Sequence, residues 1–207
     1  MLMLDNSIID VDLHWKSFVE KGDHFSFSSI YNSYVDNLYS YGVSLGFRRD
    51  LCKDAIQDTF FKLYIHRVKL AHVKNTTAYI FKSFKNRLID LSQKKMNEES
   101  LVAVTESFTV DVTVLDHLIN SEKAEMLKRK VSSLLEGLTA NQREVVYLKY
   151  MIGLEHKEIA SILNIQEESA RKLLYRTMEK LRQQASDDDL SEAMTLFSLI
   201  LMLQRFL

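Results

Sequence analysis

No proline occurs in the 207 residues of this chain, where average usage would place about ten. Proline fixes φ and builds rigid turns and polyproline spacers, so the chain is predicted to contain neither. Helix interiors reject proline and tolerate glycine poorly, and only five glycines are present. With 27% charged residues, this predicts an all-α protein. The length suits one large domain or two small ones.

Apolar residues recur at helical three-four spacing through Phe27, Ile30, Tyr31, Tyr34, Leu38, Tyr41 and Leu45. That predicts an aromatic-rich amphipathic helix, loosened at its end by Gly42 and Gly46. Arg48, Arg49 and Asp50 open a second helix, which turns Leu51, Ala55, Ile56, Thr59, Phe60 and Leu63 inward and runs to about Lys69. Asn75, Thr76 and Thr77 are N-cap material before a third helix, ending near Ser92. From Lys82 to Lys95 the cations Lys82, Lys85, Arg87, Lys94 and Lys95 face a single acid, Asp90, which makes a basic patch.

Residues 1–24 are mildly acidic with scattered apolar positions and read as an irregular or marginally helical leader. Residues 96–114 break the helical rhythm with the polar cluster Asn97 to Ser100 and the alternation Val110, Val112 and Val114. An isolated strand there would have nothing to pair with, so a flexible linker between two helical domains, 25–95 and 115–185, is expected.

In the second domain, helical spacing from Leu115 stops at Gly137. Thr139 and Gln142 have the spacing of a capping box, opening a helix of about three turns that ends at Gly153. A short helix follows from Glu155 to Leu163, with Ile159, Ala160 and Leu163 inward; then comes a tight turn, Asn164 to Gln166. A longer helix buries Ala170, Leu173, Leu174, Thr177, Met178 and Leu181. Short helix, turn and long helix match the helix-turn-helix plan, whose second helix enters the major groove. The opposite face carries Ser169, Arg171, Lys172, Tyr175, Arg176, Glu179 and Lys180. Arginine can bond a guanine edge in two places, while lysine and tyrosine can hold phosphates. An ordinary solvated face has a similar composition; the coincidence with the turn geometry favours DNA.

Other chemistries are argued down. Cys52 falls beside the buried stripe of the second helix and reads as a small hydrophobe. The six histidines show no zinc-like spacing, no glycine-rich phosphate loop exists, and no nucleophile has a paired base. Neither a metal nor a cofactor nor an enzymatic activity is expected. The formal charge of −1 predicts no general attraction to nucleic acid, but a whole-chain sum hides local patches. No signal peptide is visible, which points to the cytoplasm. After the acidic Asp187, Asp188 and Asp189, the run Ala193 to Leu203 has only Thr195 and Ser198 as polar residues. It is too short to span roughly 30 Å of hydrocarbon, so the 186–207 tail is expected not to insert in a membrane but to dock as a latching helix.

The stretch Leu138 to Arg182, LTANQREVVYLKYMIGLEHKEIASILNIQEESARKLLYRTMEKLR, resembles region 4 of the extracytoplasmic-function sigma factors of bacterial RNA polymerase. Asp54 to Leu63, DAIQDTFFKL, resembles that family's region 2.2, and Ala78 to Asp90, AYIFKSFKNRLID, resembles its regions 2.3 and 2.4. The SARKLLYR wording is most similar to factors of Bacteroidetes-type bacteria, which pair with membrane-bound anti-sigma partners.

The resemblance implies that Asp54, Gln57, Asp58 and Phe61 dock core RNA polymerase. It implies that Asn86, with Tyr79, Lys82, Lys85 and Arg87, captures the non-template strand of the −10 element. It also implies that Ser169, Arg171, Lys172, Tyr175 and Arg176 read the −35 element of promoter DNA. Phe84 reads as core, and Tyr79 reads equally as core or base contact. The sequence departs from the family's pattern at Asn164, usually Gly, at Gln166, usually Ser or Thr, at Thr139, usually Pro, and at Tyr79, usually Trp. A rival reading is a homodimeric helix-turn-helix regulator with an N-terminal sensing or interaction domain.

Overall fold

The computed structural model describes residues 6–98 and 135–184, with side chains over 11–94 and 135–183. Its helices are α1 (Asn6–Lys21), α2 (His24–Ser44), α3 (Arg49–Ile65), a 3-10 turn (Arg67–Leu70), α4 (Thr76–Glu98), α5 (Ala140–Val146), α6 (His156–Leu163) and α7 (Glu167–Gln184). No strand occurs among the described residues, in keeping with the all-α expectation. The chain divides into two units, Met1–Thr105 and Glu106–Leu207. The expected valine alternation, the helix from Leu115 and the 186–207 tail lie outside the described residues.

The supposed leader is instead α1, which packs on α2 and on the 3-10 turn. Trp15, Phe18 and Val19 are buried at i, i+3, i+4 spacing, while Leu13 is exposed. Burying such side chains stabilises the helix by about 1.5 to 3 kcal/mol each, a tertiary contribution that the intervening charges mask in the sequence. Phe18 meets Phe27 with ring centroids 5.1 Å apart, and Phe27 meets Tyr64 at 5.2 Å. The first helix thus completes an aromatic cluster begun by α2 and α3.

α2 starts three residues earlier than the apolar pattern predicts, because Asp23 caps it. The Asp23 carboxylate accepts from the Ser26 amide at 3.0 Å and from the Ser26 hydroxyl at 2.6 Å, and these bonds hold its carboxyl below the usual 3.8. Gly42 does not loosen the helix. It is buried inside α2, where an added Cβ would lie 2.7 Å from Cys52 Sγ, 3.0 Å from Phe84 Cζ and 3.3 Å from Leu88 Cδ1. Lacking a side chain, it lets α3 and α4 close on α2. Asn75 caps α4 by accepting from the Ala78 amide at 2.7 Å. α4 then passes Ser92 and continues to Glu98, since Gln93, Lys94, Lys95 and Met96 are strong helix formers and no glycine stops them.

In the second unit, both halves of the Thr139–Gln142 capping box form: the Thr139 amide donates to Gln142 Oε1 at 3.0 Å, and the Gln142 amide to Thr139 Oγ1 at 3.4 Å. α5 is shorter than the three turns expected, because its last stretch, Tyr147–Met151, widens into a π-turn. A second capping box, Glu155 with Glu158, opens α6. Ile159, Ala160 and Ile162 are its buried residues, with Leu163 only half-buried. α6 ends on Asn164, whose φ of 56° and ψ of 43° are left-handed. The amides of Asn164 and Ile165 both donate to the Ala160 carbonyl, closing the turn before α7. Ala170, Leu174, Thr177, Met178 and Leu181 of α7 are buried, whereas Leu173, expected in the same stripe, lies at its edge and is only half-buried; α7 packs on α5 and α6.

Replacing Gly42 by Ala costs about 1 to 3 kcal/mol of stability by overpacking, and adding Cys52→Ala restores part of it; chemical denaturation of the full chain measures both. Burial, with Asp50 nearby, pushes the Cys52 thiol from 9.0 up to about 11. The folded value lies above the unfolded one, so this stability is full below pH 9.0, falls as pH rises from there and is lost by about 11. Cys52→Ala removes that part of the alkaline decline in denaturation measured on either side of the window. At the turn, Asn164→Ala lowers the melting temperature, since a left-handed Ala costs about 1 kcal/mol or more, whereas Asn164→Gly does not. Equal melting for the Ala variant and the parent would remove the left-handed requirement.

Candidate polymerase and nucleic-acid interfaces

α3 turns its apolar stripe toward α2 and α4 and leaves Asp54, Gln57, Asp58 and Phe61 on the other side, at i, i+3, i+4, i+7 spacing. Asp54 and Gln57 are exposed, Asp58 is half-buried and Phe61 is 64% exposed. A phenylalanine left this open beside acid and amide groups suits a protein interface better than solvent. Ile65, 53% exposed, continues the strip to the end of α3, and Val68, 71% exposed, stands in the 3-10 turn that follows. The four-residue spacing of Ile65 from Phe61 is the signal available in the sequence.

α4 divides its candidate residues differently. Phe84 is fully buried, as core, and Tyr79 is half-buried with its ring 6.3 Å from that of Trp15. Asn86 is exposed, and Lys82 and Lys85 are half-buried. Arg87 does not extend this face. Its guanidinium is bonded to the carboxylate of Asp58 on α3, with Nε donating at 2.7 Å and Nη2 to the same oxygen. One residue expected to bind DNA and one expected to bind polymerase are therefore bonded to each other, a pairing that no local spacing reveals.

On α7, Ser169, Arg171, Lys172, Tyr175 and Arg176 are all exposed along the face opposite the buried stripe. Glu167 and Glu168 do more than favour the helix N-terminus. Arg171 Nη2 donates to Glu167 Oε1 at 3.2 Å, Lys172 Nζ lies 3.5 Å from Glu168 Oε1, and the Tyr175 hydroxyl donates to Glu179 at 3.2 Å. All three are i, i+4 pairs with spacing readable in the sequence, and the two ion pairs, Glu167–Arg171 and Glu168–Lys172, place the acid N-terminal to the base, the favourable orientation. The acids hold the long cationic side chains along the helix surface. Among the described residues no group of histidine, cysteine and acidic side chains could hold a metal ion, and no helix is long and apolar enough to cross a membrane.

Comparison with known proteins gives this geometry a context. Residues 128–181 match the Sigma-70, region 4 family. The ECF RNA polymerase sigma factor SigM of Bacillus subtilis (strain 168) is 27% identical over 154 residues, 74% of this chain and 91% of that protein. SigW of the same organism, also an ECF RNA polymerase sigma factor, is 26% identical over 179 residues, 82% of this chain and 94% of its own length. The structure of CnrH in complex with the cytosolic domain of CnrY is similar in fold, with a TM-score of 0.52 at 18% identity over 85% of this chain and 94% of that one. The helix-turn-helix with its exposed basic face lies within the matched region 4, and the likeness to both curated relatives extends over most of their length, which together support an extracytoplasmic-function sigma factor of RNA polymerase.

Proposed function

We propose that this sigma factor divides promoter recognition between its two units. The second unit reads the −35 element through Ser169, Arg171, Lys172, Tyr175 and Arg176 of α7. The first docks core polymerase through the α3 face around Asp54, Gln57 and Phe61, and opens the −10 element with Tyr79, Lys82, Lys85 and Asn86 of α4. The observation that carries this reading is the pairing of a helix-turn-helix, closed by left-handed Asn164, with an exposed arginine- and lysine-rich face on its second helix. Opening a duplex also requires a surface that holds an unstacked base and cations that follow the backbone, and α4 offers both residue types.

Without polymerase, the exposed Phe61 strip and the basic α7 face need a cover, and an anti-sigma factor supplies it. A partner that binds either surface stabilises an inactive complex, and its removal shifts the population toward polymerase. The factor acts in the cytoplasm, where core polymerase and promoter DNA are found.

Run-off transcription from fragmented genomic DNA with purified core polymerase tests the reading. Promoter-specific transcripts require both components; tight duplex binding by the factor alone, with no transcripts, supports the homodimeric regulator instead. On a promoter so recovered, Arg171→Ala relaxes selectivity at one −35 base pair by about 1 to 3 kcal/mol, whereas Lys172→Ala weakens binding to all sequences alike. Equal effects of the two variants across a panel of single-base promoter changes would remove Arg171 as a base reader.

A further inference from the structure

The Asp58–Arg87 ion pair joins α3 to α4 at the rim of their packed interface. Beneath it, Cys52, Ala55, Ile56 and Thr59 of α3 and Ile80, Phe84 and Leu88 of α4 are buried, and the two helices pack together. Dispersion contacts of this kind fix how far apart two helices lie but discriminate weakly between small slides and rotations. An arginine fork directed at one carboxylate does discriminate, because its donors have a fixed plane. The Arg87 side chain is only 24% exposed and that of Asp58 is 41%.

Position on the helix separates Arg87 from the other candidate −10 residues. At about 100° per residue, Lys85, Lys82, Asn86 and Tyr79 share an arc of about 120° on α4, and Arg87 lies about 80° beyond Tyr79, on the side of buried Ile80. Turning Arg87 outward to reach a phosphate would strand a half-buried carboxylate without its partner, which is costly.

We propose that Asp58 and Arg87 are a positioning pair for promoter opening: Arg87 locks α4 in register with α3, and so sets the Tyr79, Lys82 and Asn86 face relative to the polymerase-docking face. Neither side chain serves chiefly as a contact to DNA or to polymerase, which reassigns two residues that the family resemblance places at those contacts. The inference rests on the −10 reading of α4 proposed above.

The test uses the full chain with core polymerase and a promoter recovered by run-off transcription. Three quantities are measured: affinity for core polymerase, permanganate reactivity of −10 thymines at saturating polymerase, and melting temperature. Arg87→Ala lowers promoter opening by about tenfold or more, as expected when reacting groups are misplaced, while affinity for core polymerase changes little. The exchange Asp58→Arg with Arg87→Asp restores most of the opening.

Three results would overturn the proposal. The exchange could leave opening as low as Arg87→Ala, which would make Arg87 a DNA contact. Asp58→Ala could weaken polymerase affinity while opening per bound complex is unchanged, which would make Asp58 a docking residue. Arg87→Lys, which retains the charge, loses the fork and guards against a misfolded Ala variant, could open promoters as well as the parent. Lys82→Ala with Asn86→Ala tests the underlying reading separately. If that double variant opens the promoter normally, the −10 assignment of α4 fails, and the positioning role falls with it.

Discussion

The close approach of α2 to α3 and α4 at Gly42 governs the geometry of the first unit. A side chain at that position would occupy the space taken by Cys52 Sγ and the tips of Phe84 and Leu88. With the inner faces of three helices brought that near, α3 and α4 have their apolar stripes committed to the core, and their outer faces are determined by default. The face of α3 bearing Phe61 and the face of α4 bearing Asn86 are consequences of how the interior is filled. Cys52 belongs to the same constraint. It is a small apolar group among larger ones, and its raised thiol pKa reflects burial rather than any reactive role.

The second unit solves a different problem, which is to present one helix outward at a fixed angle from a small core. Its devices are local. Two capping boxes fix where α5 and α6 begin, and a left-handed Asn164 fixes where α6 ends. The buried hydroxyl of Thr177 is satisfied within α7 by the Leu173 carbonyl at 2.7 Å, so a polar residue sits in the core stripe without an unpaired group. Gln166 lacks the short oxygen that usually caps such a helix. Glu167 and Glu168 offset this by placing negative charge at the positive end of the helix dipole.

What could be read from the sequence follows the range of the interaction responsible. Thr139 with Gln142 and Asn164 at the turn are set by contacts within a few residues, and each stands where its spacing places it; the α7 stripe from Ala170 to Leu181 follows its spacing except at Leu173, which is half-buried. α1 is hidden in the sequence because its stability comes from Trp15, Phe18 and Val19 meeting distant aromatics, while Asp10, Asp12, Lys16 and Glu20 give the segment a polar look. Gly42 misleads for the same reason. Glycine in a helix signals weakness when only the chain is visible, and close packing when the neighbours are known. The Asp58–Arg87 bond spans 29 positions in sequence, so the two residues were assigned to separate surfaces by motifs that each see one helix.

The near-balance of charge that gives the chain a net −1 has a local counterpart in α7. The cations Arg171 and Lys172 are not bare: Glu167 and Glu168 sit beside them as built-in counterions. Phosphate must displace a carboxylate there, not only a dissolved ion. Exposed i, i+4 pairs contribute about 0.3 to 0.5 kcal/mol each, too little to block binding but enough to reduce the gain from each phosphate contact. On the proposed −35 reading, fewer dissolved ions would be released per contact, and the salt dependence of duplex binding would be shallower than a count of α7 cations implies. A base edge changes the balance, because the arginine fork can bond guanine in two places. On that reading, paired acids of this kind would weaken backbone contacts proportionally more than base contacts, lowering affinity for random duplex while preserving the preference for a promoter.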